Sequence, residues 1–227
     1  MLVYGKNGAL EALKHGKVNS VYLSRKFNDE KILKLIDKSI IEYLDDNELS
    51  KYGKNHQGIV VDIEDYELYD IEDLYTDKEA SFIVVLDHLE DPHNFGAILR
   101  TCECAGVDYI IIPNKRSVGI TETVMKTSSG ALMNSKIISV ANLYNTLERL
   151  KKLGYWVTGL EADGTDYRSI DFTGKTVIVV GSEGNGLKHI IRESCDNIAS
   201  IPMKGEITSL NASVAAGIII YEVVRNR

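Results

Sequence analysis

Side chains that could carry chemistry concentrate in three loops, each of which follows an apolar run. The first loop, D-H-L-E-D-P-H-N-F-G-A-I-L-R at residues 87–100, passes through Pro92 into a predicted helix. Asn94 lies near the start of that helix, where its amide can cap the helix or hold a ligand. Arg100 lies six residues later, and its guanidinium can bind a phosphate or a surface carboxylate. On this loop alone, capping and a solvated arginine are the simpler interpretations.

The same loop also contains histidines and carboxylates that could suggest a metal site. Pro92 prevents a helical i, i+4 pair of histidines, and no cluster of cysteine or histidine follows. We therefore expect an exposed polar loop and no metal. The side chains concerned are Asp87, His88, Glu90, Asp91 and His93.

The second loop, V-V-G-S-E-G-N-G-L at residues 179–187, places three glycines between an apolar strand and a helix. Its order, G-x-x-G-x-G, differs from the dinucleotide-binding G-x-G-x-x-G. Beginning at Gly181, it predicts either a tight strand-to-helix turn or a ligand loop. Glu183 inside the turn could orient a donor or a base.

The third loop, I-P-M-K-G-E-I-T-S-L-N-A-S at residues 201–213, leads into the last predicted helix. Ser209 or Asn211 can cap that helix, or they can contact a nucleotide at its positive end. In the second case three apolar side chains line a slot. They are Ile201, Met203 and Leu210.

Elements that position these loops follow from the apolar pattern. Six apolar runs alternate with helical stretches around residues 94–105, 121–129, 142–153, 187–194 and 212–226, which predicts an α/β domain with a parallel sheet covered on both faces. Ligands of such sheets bind at the carboxyl ends of the strands, where the three loops lie. The runs are FIVVLDH, DYIIIP, KIISV, YWVTGL, TVIVVG and NIASIP.

A small mixed α/β domain is predicted over residues 1–66. Asn7 can cap a helix that ends near Gly16, Asn28 can cap the run DEKILKLIDKS, and VNSVYLS and GIVVDI are typical of strands. Residues 67–79 hold six acids and one lysine and contribute −5 of the net charge of −7. We interpret this segment as a linker between the first domain and a second domain over residues 80–227.

Composition narrows the class of protein. A net charge of −7 argues against an unselective polyanion binder, so any RNA site must be local. No apolar stretch reaches the roughly 18 residues that span a bilayer, and no secretory signal is apparent, so we expect a cytoplasmic protein without a membrane anchor. Three cysteines agree with a reducing compartment.

Taken together, N-F-G-A-I-L-R at 94–100, G-S-E-G-N-G-L at 181–187, and I-P-M with S-L-N-A-S at 201–213 resemble the three motifs of the SpoU, or TrmH, RNA 2′-O-ribose methyltransferases. V-Y-G-K-N-G-A-L-E-A-L at 3–13 and H-Q-G-I-V-V at 56–61 are similar to the small substrate-binding domain of that family. The two-domain form most resembles the enzymes that methylate guanosine in 23S ribosomal RNA.

The resemblance implies a SPOUT-type catalytic domain with a C-terminal trefoil knot, S-adenosylmethionine as cofactor, and a homodimer in which both subunits complete each active site. By position, the catalytic motif residues are Asn94, Arg100, Glu183, Ser209 and Asn211. The cofactor contacts are Gly181, Ile201 and Leu210, and Met203 joins them in the apolar slot. The implied substrate is RNA, either free 23S ribosomal RNA or an assembling ribosomal particle.

Three rival functions remain open from the sequence. They are a transfer RNA 2′-O-methyltransferase, a non-catalytic RNA-binding or ribosome-assembly protein, and a nucleotide-dependent oxidoreductase. The order of the glycine loop disfavours the last, and intact Arg100, Glu183 and Asn211 disfavour the second. Candidate RNA-contacting cations are Lys115, Arg116, Lys126 and Arg168.

Overall fold

The computed structural model describes residues 1–53, 55–115 and 117–227. The chain forms two compact units. The first unit comprises Met1–Glu67 and Ile120–Asn134, and the second comprises Leu68–Gly119 and Ser135–Arg227.

The strands, in chain order, are β1 (Leu2–Tyr4), β2 (Val18–Ser24), β3 (Ile41–Leu44), β4 (Ile59–Ile63), β5 (Phe82–Leu86), β6 (Tyr109–Pro113), β7 (Ile137–Val140), β8 (Trp156–Asp166), β9 (Thr176–Val180) and β10 (Asn197–Ser200). The helices are α1 (Lys6–His15), α2 (Glu30–Leu33), α3 (Asp46–Leu49), α4 (Ile71–Thr76), α5 (Pro92–Ala105), α6 (Glu122–Thr127), α7 (Ala131–Asn134), α8 (Leu143–Lys152), α9 (His189–Ser194) and α10 (Ala212–Arg225). Short 3₁₀ turns cover Lys38–Ile40 and Tyr167–Ser169.

The first unit contains a mixed sheet in the order β1-β4-β2-β3. Strand β4 pairs antiparallel with β1 and β2, whereas β2 and β3 are parallel. Val21 and Leu23 alternate with the less buried Ser20 and Tyr22, as expected of a strand with one face on the core. The structure thus confirms strands in VNSVYLS and GIVVDI and adds β1 and β3.

Helix caps in the first unit differ from the predicted ones. Asn7 lies inside α1, and the first amide of that helix is bound by a distant side chain, because Gln57 Oε1 accepts the Lys6 amide at 2.8 Å. The cap at Asn28 is also wrong, because Asp29 caps α2 by accepting the Ile32 amide. Helix α2 is short and ends at Leu33, and a 3₁₀ turn follows at Lys38–Ile40.

The second unit contains a six-stranded sheet in the order β10-β8-β9-β5-β6-β7, and each adjacent pair is parallel. All six apolar runs predicted as strands are strands here, which confirms the α/β class. Every residue of β5, β6 and β9 is buried because both faces of the sheet are covered, whereas β8 is polar and partly exposed beyond Leu160.

Each face of this sheet packs against its own helices. One face, with Ile83, Val85 and Val177, packs with buried leucines of α4 and α8. On the other side α10 packs against α5 and β9. The two helices supply apolar side chains that are fully buried, including Phe95, Ile98, Ile219 and Val223.

The acidic segment at residues 67–79 has more structure than a linker requires. The Tyr69 amide bonds to the Ile137 carbonyl at 2.9 Å, and Asp70 caps α4 in a capping box with Asp73. Leu74 is 2% exposed and belongs to the core of the second unit. The acids therefore cap a short amphipathic helix, which the sequence pattern did not reveal because that helix is only six residues long.

A second difference concerns residues 120–134, which the sequence analysis assigned to the second domain. These residues pack with the first unit, where α6 contacts α1 and buries Val124 and Met125 completely. A side chain at Gly130 would meet His15 and Glu11 of α1. The first unit is therefore built from two separate stretches of chain.

Candidate active site

Asn94 lies in the first turn of α5, within the second unit. Asp91 is the cap of that helix and accepts the His93 amide, and Pro92 occupies the first turn, where a missing N–H costs nothing. Asn94 therefore does not serve as the cap, which was its structural alternative. Its side chain is 5% exposed and is free to bond elsewhere.

Glu183 lies in a turn that folds back on itself. Ser182 and Gly186 exchange two backbone hydrogen bonds of 3.1 and 3.0 Å. A Cβ atom at Gly181 would lie 2.3 Å from the Gly186 carbonyl carbon, so only glycine permits this closure. Gly184 and Gly186 have positive φ values of 83° and 63°, where glycine is also favoured. The spacing of the three glycines therefore permits a tight turn that carries Glu183.

Asn94, Glu183 and Asn211 form one hydrogen-bonded cluster. Asn94 Nδ2 donates to Glu183 Oε1 at 2.8 Å, and Asn211 Nδ2 donates to Asn94 Oδ1 and to Glu183 Oε1, both at 2.9 Å. Asn211 Oδ1 meanwhile accepts the Ser213 and Val214 amides, so this residue also caps α10. The structure thus joins three residues from three loops that are up to 117 positions apart.

A cavity of about 500 Å³ lies beside this cluster. All four residues predicted to contact the cofactor line it, together with Glu183, Ser209 and Asn211. The four are Gly181, Ile201, Met203 and Leu210. This volume and this mixture of apolar side chains with backbone are typical of small-molecule sites.

Ser209 and Arg100 are exposed, as are Glu183 and Asn211 of the cluster, whereas Asn94 is buried. Ser209 is exposed at the cavity wall. Arg100 is exposed on α5, and the six residues from Asn94 correspond to about 1.7 helical turns, so the two side chains leave different faces of the helix. The structure therefore brings four of the five predicted catalytic residues to the cavity or its edge, while Arg100 projects from another face of α5.

Asp87 was wrongly expected to lie in an exposed loop. It is 1% exposed, accepts the Lys188 amide at 2.8 Å and contacts the ring of His88. These bonds tie the end of β5, which leads to Asn94, to the end of the turn that carries Glu183. Its place directly after a buried strand was the signal available in the sequence.

Glu161 is a further cavity residue that the sequence reasoning missed. It follows the last pairing of β8 with β9, which joins Leu160 to Val180. Its Oε1 accepts the Leu187 amide at 2.6 Å, and it also lines the cavity. A carboxylate next to a strand end is the pattern that could have revealed it.

Two family models match the chain. The SpoU rRNA Methylase family matches residues 81–221, and the RNA 2′-O ribose methyltransferase substrate binding domain matches residues 2–69. The chain belongs to the SpoU/TrmH family of RNA methyltransferases. It is an enzyme that transfers methyl groups to RNA ribose.

Known SpoU/TrmH proteins resemble it along most of its length. A protein of Staphylococcus saprophyticus named as a TrmH family tRNA/rRNA methyltransferase is 42% identical over 222 residues, which cover 96% of this chain and 86% of that protein. The SpoU methyltransferase AviRb from Streptomyces viridochromogenes, solved with AdoMet, superposes with a TM-score of 0.80 at 25% identity over 99% of this chain and 89% of its own. The A. aeolicus TrmH/SpoU tRNA modifying enzyme is 36% identical, with a TM-score of 0.59 over 66% of this chain and 76% of its own.

The cavity fits S-adenosylmethionine, which is bound in the AviRb structure, in size and lining. Within residues 1–53, 55–115 and 117–227, no group of three or more histidine, cysteine or carboxylate side chains is arranged to hold a metal ion. Nor does a helix in the described chain have the length and apolar character needed to cross a membrane.

Proposed function

We propose that the chain methylates the ribose 2′-hydroxyl of a guanosine in 23S ribosomal RNA, in the cytoplasm, at the cavity beside the Asn94–Glu183–Asn211 cluster. One observation supports this location of the site: residues from three loops converge as a hydrogen-bonded cluster on the wall of a cavity of cofactor size. The choice of guanosine in 23S ribosomal RNA rests on the resemblance of the two-domain form. The same three loops carry the motifs of the family.

The cavity is proposed to hold S-adenosylmethionine between apolar walls. Ile201, Met203 and Leu210 supply the walls, while the turn that starts at Gly181 supplies backbone hydrogen-bonding groups. When bound, the cofactor supplies an electrophilic methyl group. Leu210→Trp should fill the cavity and weaken S-adenosylhomocysteine binding more than tenfold in calorimetry. Unchanged affinity would show that the cofactor binds elsewhere.

The residues around the cavity are proposed to align and activate the ribose hydroxyl. Asn94, Glu183 and Asn211 hold one another in place, so their remaining polar atoms and Ser209 are positioned to orient the ribose. An arginine with a pKa above about 12 is a poor proton acceptor, so Arg100 is assigned to stabilising the developing oxyanion and to holding an RNA phosphate.

A second copy of the chain is proposed to complete the site. Helix α10 leaves apolar side chains in contact with solvent on one face, with Val214 51% and Tyr221 50% exposed. Ile207, in the loop that also supplies Met203 and Leu210 to the cavity, is 79% exposed. A homodimer that covers these side chains would bring Arg100 of one copy toward the cavity of the other. Val214→Asp with Tyr221→Lys should give a monomer in sedimentation and abolish methyl transfer, while a persistent dimer would refute this interface.

The first unit is proposed to select the RNA. Its net charge is close to zero over residues 1–66, which favours recognition of RNA shape and exposed loop bases over a long charged groove. Of the candidate cations, Lys126 belongs to the first unit and is exposed. Lys115 and Arg168 belong to the second unit, where Lys115 is exposed and Arg168 is held by Asp166 in a bidentate pair. Arg116 lies outside the described residues.

The substrate can be identified by transferring labelled methyl groups to ribosomal and transfer RNA that lack native modifications. Nuclease digestion followed by nucleoside mass spectrometry then locates the label. We expect 2′-O-methylguanosine in the large-subunit RNA. Label in transfer RNA alone would make transfer RNA the substrate, and no label in free RNA or in precursor particles would contradict methylation of either substrate.

A further inference from the structure

The lining of the cavity is electrostatically one-sided. It includes two carboxylates, Glu161 and Glu183, and the described lining residues include no lysine or arginine. Glu183 is bonded to the amides of Asn94 and Asn211, which are neutral and leave its charge in place. The cavity therefore presents negative charge to whatever it binds.

Glu161 is held in a fixed position at this cavity. Its Oε1 accepts the Leu187 amide at 2.6 Å, and both carboxylate oxygens lie 2.6 Å from the place where a Cβ atom at Gly186 would be. The carboxylate thus packs directly against the turn that presents Glu183. Such a group costs little further ordering when a ligand binds beside it.

The charge of Glu161 is not neutralised by an ion pair with the part of the chain that the structure describes. Arg192 interacts with it electrostatically, but the Arg192 guanidinium donates to both oxygens of Asp163, at 2.8 and 3.1 Å. Leu160, Ile201 and Leu210 line the same cavity, and an apolar lining reduces the screening of a charge by water.

The two forms of the cofactor differ in charge at sulfur. S-adenosylmethionine carries a sulfonium cation, whereas the product S-adenosylhomocysteine carries a neutral thioether. We propose that Glu161 is a specificity-determining residue that favours the cationic cofactor over its neutral product and so promotes product release. This inference rests on the proposed position of the cofactor in the cavity.

Calorimetry with three ligands tests the role of Glu161. The ligands are S-adenosylmethionine, S-adenosylhomocysteine and sinefungin, an analogue with an ammonium group in place of the methylsulfonium. Glu161→Gln keeps an oxygen acceptor for the Leu187 amide and removes only the charge. We expect it to weaken both cationic ligands by about tenfold and S-adenosylhomocysteine by less than about twofold. The preference should also shrink in 1 M salt, where the Debye length falls to about 3 Å.

Glu193→Gln is the matched control, because it removes an equal charge from an exposed carboxylate on α9 that pairs with His189. It should leave all three affinities unchanged. Equal weakening of all three ligands by Glu161→Gln, or no weakening, would overturn the proposal. If Leu210→Trp weakens binding in the same assay as expected, a failed prediction for Glu161→Gln concerns Glu161 alone. If Leu210→Trp binds normally, the cofactor position itself is refuted.

Discussion

The candidate site has two parts, which differ in how completely the residues of one chain are joined to one another. In the tied part, Asn94, Glu183 and Asn211 are joined by hydrogen bonds of 2.8–2.9 Å. In the open part, Arg100 leaves another face of α5 and Ser209 lies at the cavity wall. Under the proposed function, a single copy preorganises the cofactor side of the reaction, and the substrate and a second copy complete the RNA side.

The largest effect is expected in the open part. Arg100→Ala should lower kcat by about 100- to 1000-fold, because it removes the charge assigned to the developing oxyanion. S-adenosylhomocysteine affinity and thermal stability should stay at wild-type values, since Arg100 is an exposed residue outside the cavity lining. Wild-type turnover would show that Arg100 does not stabilise the oxyanion. Loss of cofactor affinity would show that Arg100 belongs to the same functional part as the cluster.

The next largest effect is expected in the tied part, at the turn that carries Glu183. Gly181→Ala places a Cβ atom 2.3 Å from the Gly186 carbonyl carbon and should open the turn. Cofactor affinity should fall by more than tenfold in calorimetry. Gly205→Ala, at a position with no atom within 4 Å of the added Cβ, is the matched control and should bind normally. Normal binding by both variants would show that turn closure is not required.

A smaller effect is expected from coupling within the tied part. Asn94→Ala and Asn211→Ser each remove an amide, and serine retains an acceptor to cap α10. Because the two side chains bond to each other and to Glu183, their effects on kcat should be non-additive by about 1–2 kcal/mol in a double-mutant cycle. Asn145→Ala, on the exposed face of α8, should be additive with either one. Additive effects of Asn94→Ala and Asn211→Ser would show that the cluster does not act as one functional unit.

The smallest effect is expected at Tyr109, outside both parts of the site. It serves as a reference for variants that lower stability without affecting cofactor binding. The Tyr109 hydroxyl donates to Asp77 at 3.0 Å and is the main cause of the lowered pKa of that carboxyl. Tyr109→Phe should cost about 1 kcal/mol of unfolding free energy at pH 7 without changing cofactor affinity.

The pH dependence of that loss has a definite sign. A carboxyl with a lowered folded-state pKa stabilises the fold above its ordinary pKa of 3.8, and the stabilisation disappears as the pH falls through the lowered value. Urea unfolding should therefore show the wild type and Tyr109→Phe converging below pH 4. A difference independent of pH would assign the loss to packing.

The sequence predicted the sheet of the second unit and the convergence of its loops more reliably than the local details. The strands β5, β6 and β9 are buried at every residue and are continuous apolar runs, and β7, β8 and β10 each contain a shorter apolar run that was also apparent. Helix caps depended on distant residues, as where Gln57 caps α1 from 51 positions away. The burial of Asp87 and the place of Glu161 likewise depend on tertiary contacts. The C-terminal knot and the roles of the site residues stay predictions.

The two-stretch construction of the first unit has a consequence for the exchange of modules between related enzymes. Residues 120–134 belong to the first unit although both neighbouring stretches belong to the second. A recombination event that replaces only residues 1–67 would pair a foreign α1 with the native α6, leaving Val124 and Met125 against a surface that did not evolve with them. Inheritance of a new RNA-selecting unit would therefore favour the transfer of two gene segments, or compensating changes in one of them.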